Sequence, residues 1–260
     1  MKKVRYVRLN PTGNLTCLVL DPVAEAERPQ VTAALMNRCE QVGYLMPAEA
    51  PGAAARLQMM GGEFCGNAAM ATAAWLTAEN AGAAERENGT ELLLEVSGAE
   101  EPVRCGIRRE PDGWRGRVQM PLPREAFAAE ISGRRLQAVR FPGMLHLVSG
   151  GTLSRPEAEE LMEAAKNRFP DAAIGLMQWC GGRLTPLVWV RESGTQVWET
   201  ACGSGTAAAA CAESLRRGGP VRISASQPGG ILEAETEWNE KKLSRIWLSG
   251  TVTWETPEEI

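Results

Sequence analysis

One short pattern occurs twice in this chain and limits the folds that the chain can adopt. The first copy is Glu63-Phe64-Cys65-Gly66-Asn67, and the second is Glu199-Thr200-Ala201-Cys202-Gly203-Ser204. Each copy combines an acidic residue, a spacer and Cys-Gly-polar, and leads into an alanine-rich stretch; the two cysteines lie 137 positions apart in a chain of 260 residues. The repeat predicts two similar halves, each with one long central helix.

The hydrophobic periodicity of the chain predicts an α+β fold whose strands are mostly antiparallel. Pro121 and Pro123 break the pattern between the halves, so we expect a lobe of residues 1–120 that carries Cys65 and a lobe of residues 121–260 that carries Cys202, with the last strand able to cross back to the first lobe. Ser154 and Glu157 predict a capping box. Strands are predicted at 3–9, 15–20, 44–47, 55–60, 91–97, 102–109, 114–120, 136–141, 145–149, 172–179, 185–191, 221–226, 230–237 and 245–254. Helices are predicted at 29–42, from just after Cys65 to about 79, at 155–168 and after Cys202.

The composition excludes several classes of protein. With 44% hydrophobic and 23% charged residues, the chain is typical of a globular protein. Its net charge of −4 and the absence of a Lys/Arg run give no support for nucleic-acid binding. No apolar stretch approaches the roughly 20 residues that span a bilayer. The N-terminus has no apolar signal-peptide core, and the seven cysteines are not spaced as a disulfide framework, so we expect a cytoplasmic location.

The sequence also lacks the motifs of common cofactors. His146 is the one histidine, and no Cys-x-x-Cys pair occurs, so no metal site is expected. The glycine motifs that bind dinucleotides or phosphates are absent. No lysine stands in a Schiff-base motif, so the chemistry does not require pyridoxal phosphate. We therefore expect no cofactor.

A cysteine at the start of a helix lies in a particular electrostatic environment. The N–H groups of the first turn have no partner within the helix, and their positive field favours a thiolate. The same groups can hold a substrate carboxylate, and a glycine after the cysteine allows close approach to the backbone. Cys65 and Cys202 are therefore candidate catalytic thiols, each beside a candidate anion site.

Two such cysteines suit the inversion of a stereocentre. Inversion by proton transfer needs a base on one face of the carbon and an acid on the other, and helix N-termini aimed at the carboxylate stabilise the carbanion of a small amino-acid substrate. Two other interpretations stay open, namely a pair of buried, inert cysteines and a redox pair, although the close spacing of dithiol switches is absent. For Cys17, Cys39, Cys105, Cys180 and Cys211 the inert interpretation is adopted.

These segments resemble a known superfamily. Phe64-Cys65-Gly66-Asn67 and Ala201-Cys202-Gly203-Ser204-Gly205 resemble the two active-site signatures of the diaminopimelate epimerase-like superfamily, and Asn10-Pro11-Thr12-Gly13-Asn14 resembles its N-terminal substrate loop. The resemblance covers nearly the whole chain. It implies two pseudo-symmetric α+β lobes, each a sheet wrapped around a central helix, with the site in the cleft between them and a two-base thiol mechanism without cofactor. Members often dimerise, so a homodimer is left open.

The departures from the diaminopimelate epimerase pattern bear on the substrate. Glu192-Ser193-Gly194 lacks the arginine that grips the distal carboxylate in that enzyme, and Gly143-Met144-Leu145-His146 stands in place of Gly-Asn-Pro-His. The segments 185–190 and 62–65 resemble instead the histidine racemase branch, associated with opine metallophore synthesis. We therefore favour a single-centre amino acid such as histidine. Diaminopimelate epimerase (LL to meso) is the alternative, and a catalytically inactive amino-acid-binding homologue is the alternative of another class, which the two intact cysteines disfavour.

The resemblance also suggests roles for residues around the cysteines. Asn14 is expected to contact the substrate, and Glu199 to bind the α-ammonium group or to orient Cys202; for Glu199 and for Glu63 a capping or supporting role is an equal alternative. His146 is expected to be structural or to support the site indirectly. The expected donors of backbone N–H groups to the α-carboxylate are Gly66, Asn67, Gly203 and Ser204. Trp189 and Trp198 are expected in the core, although a flat ring would suit an imidazole.

Overall fold

The computed structural model describes residues 3–79 and 89–260, and the chain divides into two compact units. Unit 1 comprises Met1–Gln119 and Ser249–Ile260, and unit 2 comprises Met120–Leu248. The division falls inside the long strand Lys242–Trp254, which contributes to both units. Among the described residues, none of the helices has the length and apolarity needed to cross a membrane.

The secondary structure is an α+β arrangement with four α-helices, one 3-10 turn and many short strands within the described ranges. The helices are α1 (Arg28–Leu35), α2 (Gly66–Glu79), α3 (Arg155–Arg168) and α4 (Gly203–Arg217), and the 3-10 turn is Glu25–Glu27. The strands are β1 (Arg5–Pro11), β2 (Thr16–Val19), β3 (Gln41–Met46), β4 (Ala53–Met59), β5 (Thr90–Val96), β6 (Val103–Glu110), β7 (Gly113–Met120), β8 (Glu125–Ile131), β9 (Arg134–Phe141), β10 (Met144–Ser149), β11 (Ala173–Cys180), β12 (Arg183–Val190), β13 (Gln196–Trp198), β14 (Arg222–Gln227), β15 (Gly230–Asn239), β16 (Lys242–Trp254) and β17 (Glu258–Glu259).

In unit 1 the strands pair in a closed order. β1 and β2 are antiparallel, β2 and β3 parallel, β3 and β4 antiparallel, β4 and β5 parallel, and β5, β6 and β7 antiparallel in turn. β16 pairs with both β7 and β1, which closes the ring. The two parallel pairs are those joined through a helix, α1 and α2 respectively, as a parallel connection requires a crossover.

Unit 2 repeats this order of pairings. β9 and β10 are antiparallel, β10 and β11 parallel, β11 and β12 antiparallel, β12 and β14 parallel, and β14 and β15 antiparallel. The parallel pairs are again those joined through helices, α3 and α4. The strands β8 and β13 are additions at the edges of this plan, paired with β9 and β12. The two halves predicted from the repeated cysteine pattern therefore share one topology.

α2 and α4 are the central helices of their units. From Gly66 to Trp75 every residue of α2 is buried, and in α4 burial is continuous from Gly205 to Cys211. A helix that is apolar on all sides is stable only when it is surrounded by the core, and alanine and glycine allow the strands to approach closely. The segments Gly66–Trp75 and Gly205–Cys211 are consequently held by packing on every side.

α1 and α3 instead cover the sheets with one face. Val31 and Leu35 of α1 pack on a cluster from β1, β2 and β3, and α3 packs on β8 and β11. Ser154 caps α3: its Oγ accepts the N–H of Glu157, and the Glu157 carboxylate accepts the N–H of Ser154. The capping box predicted from the sequence is confirmed.

The sequence prediction misplaces the end of one helix and misses three strands, β8, β13 and β17. The helix expected over 29–42 ends at Leu35, because Gln41 belongs to β3, where it pairs with Thr16 and its side-chain amide donates to Asn14 and to Thr16. Strand pairing here overrides helical periodicity. β8 was not predicted, although its buried Ala129 and Ile131 alternate with exposed residues and a tight Ser132-Gly133 turn with positive φ leads into β9.

Candidate active site

Cys65 lies where the chain enters α2. Its side chain is half-buried, and its Sγ accepts the N–H of Ala68 at 3.4 Å. Its carbonyl accepts the N–H of Ala69 at 2.9 Å, which is the first hydrogen bond of the helix. The thiol of Cys65 therefore caps the first turn of α2. Gly66 and Asn67, the next two residues, are buried and form the start of that turn.

The loop before Cys65 is fixed by Ser97, at the end of β5. The Ser97 hydroxyl donates to the carbonyl of Glu63 at 2.9 Å and accepts the N–H of Met59 at 2.9 Å. The side chain of Glu63 itself is exposed. The structure thus gives the backbone of Glu63 a part in the loop, and the role of its carboxylate stays a prediction.

Cys202 occupies the equivalent place at the start of α4. It is the N-cap residue and is 5% exposed, and its Sγ accepts the N–H of Gly205 at 3.3 Å. The Ser204 hydroxyl lies 3.6 Å from the same sulfur. A Cβ at position 205 would meet the sulfur of Met177 and lie 3.1 Å from Cys202 Sγ, so glycine lets the first turn close around the thiol without displacing the Met177 side chain. In both units the thiol accepts the N–H three residues ahead.

The pKa of the Cys202 thiol is raised well above its ordinary value. Burial is the largest cause, followed by the charge of Glu199 and a hydrogen bond between the two side chains. The Ser204 hydroxyl and the Gly205 N–H lower the pKa, as the helix-start argument predicted, but burial and Glu199 outweigh them. Cys202 is therefore protonated at neutral pH when no ligand is present, and Glu199 lies against its sulfur.

A closed ring of hydrogen bonds surrounds the backbone of Cys202. The Cys202 N–H donates to Gln227 Oε1 at 2.8 Å, Gln227 Nε2 donates to Thr206 Oγ1 at 2.9 Å, and Thr206 Oγ1 donates to the Cys202 carbonyl at 2.7 Å. Sequence analysis missed Gln227 and Thr206. A threonine inside a run of alanines four residues after the cysteine is a weak signal, and nothing in the sequence connects it with Gln227.

Asn14 lies in the turn between β1 and β2 and is 9% exposed. Its side-chain amide donates to the Glu40 carboxylate at 2.8 Å, and its Oδ1 accepts from Gln41 Nε2 at 2.7 Å. These bonds fix the Asn10–Asn14 loop, together with the bond from the Gly13 N–H to Asn10 Oδ1 at 2.7 Å. Asn14 thus has a structural role in unit 1, and its contact with substrate stays a prediction.

His146 and Trp189 are buried in unit 2, and Trp198 is half-buried against its core. His146 has no exposed surface, its ring meets Phe141 edge to face, and burial lowers its pKa to about 3. Trp189 is a member of the apolar cluster beneath α3, and Trp198 packs against that cluster. All three residues therefore have the structural environment expected for core side chains.

The five remaining cysteines have no place in these sites. Burial raises the pKa of the Cys105 and Cys211 thiols to about 12 in each case. Cys17 is buried in the cluster beneath α1, against which Cys39 also packs, and Cys180 is exposed at the end of β11. Cys65 and Cys202 are distinguished from them by their position at the start of a buried helix.

Solved structures share the fold over the whole chain. A predicted epimerase from Pseudomonas aeruginosa superposes with a TM-score of 0.72 at 16% identity and covers 99% of both chains. A probable proline racemase from Agrobacterium radiobacter gives a TM-score of 0.72 at 14% identity, with 99% of this chain and 92% of that chain covered. At these identities the likeness establishes the fold alone.

Proteins related in sequence establish the family as well as the fold. A histidine racemase of Staphylococcus aureus is 28% identical over 246 residues, which cover 88% of this chain and 87% of that protein. A histidine racemase of Fusobacterium nucleatum is 26% identical over 216 residues, 78% of each chain. Fold, site and relatives define an isomerase of the amino-acid racemase and epimerase class. The chain belongs to the family described as histidine racemase CntK N-terminal domain, whose model matches residues 3–256.

Proposed function

We propose that the protein is a cofactor-independent histidine racemase in which Cys65 and Cys202 exchange protons with the substrate Cα. One observation carries the mechanism: each cysteine caps a buried central helix, with Sγ at 3.4 Å from the Ala68 nitrogen in one unit and 3.3 Å from the Gly205 nitrogen in the other. Two acid-base groups in equivalent settings are what inversion of a stereocentre needs.

The choice of histidine as substrate is supported by the family and by the relatives. The family is described as one of histidine racemases, and the relatives from Staphylococcus and Fusobacterium are histidine racemases. The segment Glu192-Ser193-Gly194, without the arginine of diaminopimelate epimerases, also favours a substrate with one carboxylate. Both cysteines are intact and similarly capped, which favours an active enzyme over an amino-acid-binding homologue.

In the proposed reaction the protonated Cys202 acts as the acid. The Cys65 thiolate removes the Cα proton from one face of histidine, and the Cys202 thiol delivers its proton to the opposite face. The reaction leaves Cys65 as a thiol and Cys202 as a thiolate, ready for the reverse reaction. Because burial and Glu199 raise the pKa of Cys202, its thiolate is a strong base, which suits a weakly acidic Cα–H.

The carbanion formed at Cα needs stabilisation through the carboxylate. The N–H groups at the starts of α2 and α4 are the proposed donors, from Gly66 and Asn67 in one unit and from Gly203 and Ser204 in the other. Glu199 orients the Cys202 thiol, with which it shares a hydrogen bond. Asn14 is proposed to contact the substrate from the loop that it stabilises.

The proposal is tested by single substitution of each cysteine. Cys65→Ala and Cys202→Ala should each abolish the racemisation of L- and D-histidine and the incorporation of solvent deuterium into the product, because each turnover needs both thiols. Polarimetry and mass spectrometry in deuterated water measure the two effects. Cys105→Ala and Cys211→Ala are matched controls, since they remove a buried thiol from unit 1 and from α4, and they should retain activity.

Full activity of Cys65→Ala or of Cys202→Ala would contradict the two-base mechanism. Turnover of diaminopimelate by the wild-type protein, without turnover of histidine, would contradict the substrate. Binding of histidine without exchange of its Cα proton would favour the amino-acid-binding alternative.

A further inference from the structure

We infer that Gln227 and Thr206 are positioning residues for Cys202, acting through the ring of hydrogen bonds that fixes its backbone. This inference rests on the proposed role of Cys202.

The ring uses the two backbone polar groups of Cys202. Gln227 Oε1 accepts the N–H of Cys202, and Thr206 Oγ1 donates to the carbonyl of Cys202. The two side chains are connected by the bond from Gln227 Nε2 to Thr206 Oγ1 at 2.9 Å. Together with the backbone N–H of Thr206, which donates to the same carbonyl at 3.0 Å, these contacts restrain φ and ψ of Cys202 at −113° and 107°. The two angles set the direction of the Cα–Cβ bond, and hence the position from which Sγ can reach a proton.

The members of the ring are buried, so the bonds cannot be replaced by water. Thr206 has no exposed surface, and Gln227 is 6% exposed. A buried amide or hydroxyl without a partner costs about 1–3 kcal/mol, and a fully satisfied buried network favours one arrangement over its alternatives. The thiol has its own bonds to the Gly205 N–H at 3.3 Å, to the Ser204 hydroxyl at 3.6 Å and to Glu199. These bonds involve sulfur, and the place from which Sγ makes them is set by the backbone that the ring holds.

A second hydrogen bond joins the segment before α4 to the loop that follows β14. The Gly229 N–H donates to the Thr200 carbonyl at 2.8 Å. The loop after β14 is therefore bonded to the segment before α4 on both sides of Ala201. Through this loop the sheet of unit 2 determines where the start of α4, and with it Cys202, lies.

Thr206 offers a matched set of variants. Thr206→Val keeps the shape of the side chain and removes the hydroxyl, whereas Thr206→Ser keeps the hydroxyl. Misplacement of a reacting group by about 1 Å can cost about 100-fold in rate, so we expect Thr206→Val to lower kcat about 10- to 100-fold with little change in KM. Thr206→Ser should stay within about threefold of wild type, because its hydroxyl can make both bonds.

A purely structural role is distinguished by the kinetic isotope effect. With Cα-deuterated histidine, the effect on kcat should rise in Thr206→Val, because proton transfer becomes more strongly rate-limiting, and it should return to the wild-type value in Thr206→Ser. Gln227→Leu, which leaves the Cys202 N–H without its acceptor, should behave like Thr206→Val. Should Thr206→Val fold poorly, Thr206→Ala replaces it, since alanine is the strongest helix former and continues the run of Ala207 to Ala210.

Wild-type kcat and isotope effect in folded Thr206→Val or Thr206→Ala would overturn the inference. Equal losses in Thr206→Ser and Thr206→Val would also overturn it, since side-chain shape rather than the hydroxyl would then matter. These results are separable from a failure of the proposed function, in which Cys202→Ala itself remains active.

Discussion

At the scale of single residues, burial decides the chemistry of unit 2 more than charge does. Cys202 and His146 both lie in the interior, and burial is the first cause of the altered pKa of each. The thiol has Ser204, Gly205 and Glu199 around it. Neither ring nitrogen of His146, in contrast, has a hydrogen-bond partner among the described residues. The imidazole is therefore held neutral by its surroundings.

His146 should make the protein sensitive to acid. Its pKa is about 3 in the folded state and 6.5 in the unfolded chain, so between these values the unfolded state binds a proton that the folded state does not. The free energy of unfolding should therefore fall by about 1.4 kcal/mol per pH unit below pH 6.5, a loss of about 2 kcal/mol at pH 5. Urea unfolding at pH 7 and pH 5 should show a smaller loss for His146→Leu; the same loss in both proteins would refute this origin.

At the scale of elements, local signals predicted where the helices α2, α3 and α4 begin. The start of α2 at Gly66, the capping box of α3 and the start of α4 at Gly203 follow from short sequence patterns, because caps are local interactions. The C-terminal end of α1 and the existence of β8 do not follow from such patterns. They depend on pairing with strands elsewhere in the chain, which overrides the local pattern.

The cap of α3 gives a test of stability without a direct part in the proposed chemistry. Ser154→Ala removes the acceptor of the Glu157 N–H, so the free energy of unfolding should fall by about 1 kcal/mol. The change is measured as the shift of the guanidinium midpoint. Ser224→Ala, on an exposed position of β14, is the control and should shift it little. A midpoint for Ser154→Ala equal to that of the control would mean that the cap contributes nothing.

At the scale of the whole molecule, the last strands complete unit 1. Trp254 of β16 stacks on Trp114 at 6.0 Å between ring centroids and meets Trp75 of α2 edge to face at 5.6 Å. Trp254→Ala should lower the free energy of unfolding by about 3 kcal/mol, whereas Trp254→Phe, which keeps an aromatic contact, should lose less than half as much. Circular dichroism during chemical unfolding gives both values. Equal losses would show that the ring contacts are unimportant.

Long-range contacts also mark the limit of what the sequence could predict about the site. The two cysteines, the following glycines and the polar residues Asn67 and Ser204 stand in contiguous motifs and were identified there. Gln227 was not, because its bond to Cys202 joins residues 25 positions apart. Burial raises the pKa of the Cys202 thiol more than the start of the helix lowers it. This balance depends on the packing around the thiol, which a local sequence motif does not reveal.

The position of β16 and β17 in the chain has a consequence for synthesis on the ribosome. β1 pairs with Val252 to Trp254 and with Glu258 and Glu259, and Val4 exchanges backbone hydrogen bonds with Ile260. The strands β8 to β15 of unit 2, by contrast, pair with one another, and all of them are synthesised before residues 252–260. The amino-terminal half of the polypeptide is thus translated first, but its ring of strands stays open beside β1 until residues 252–260 have been synthesised.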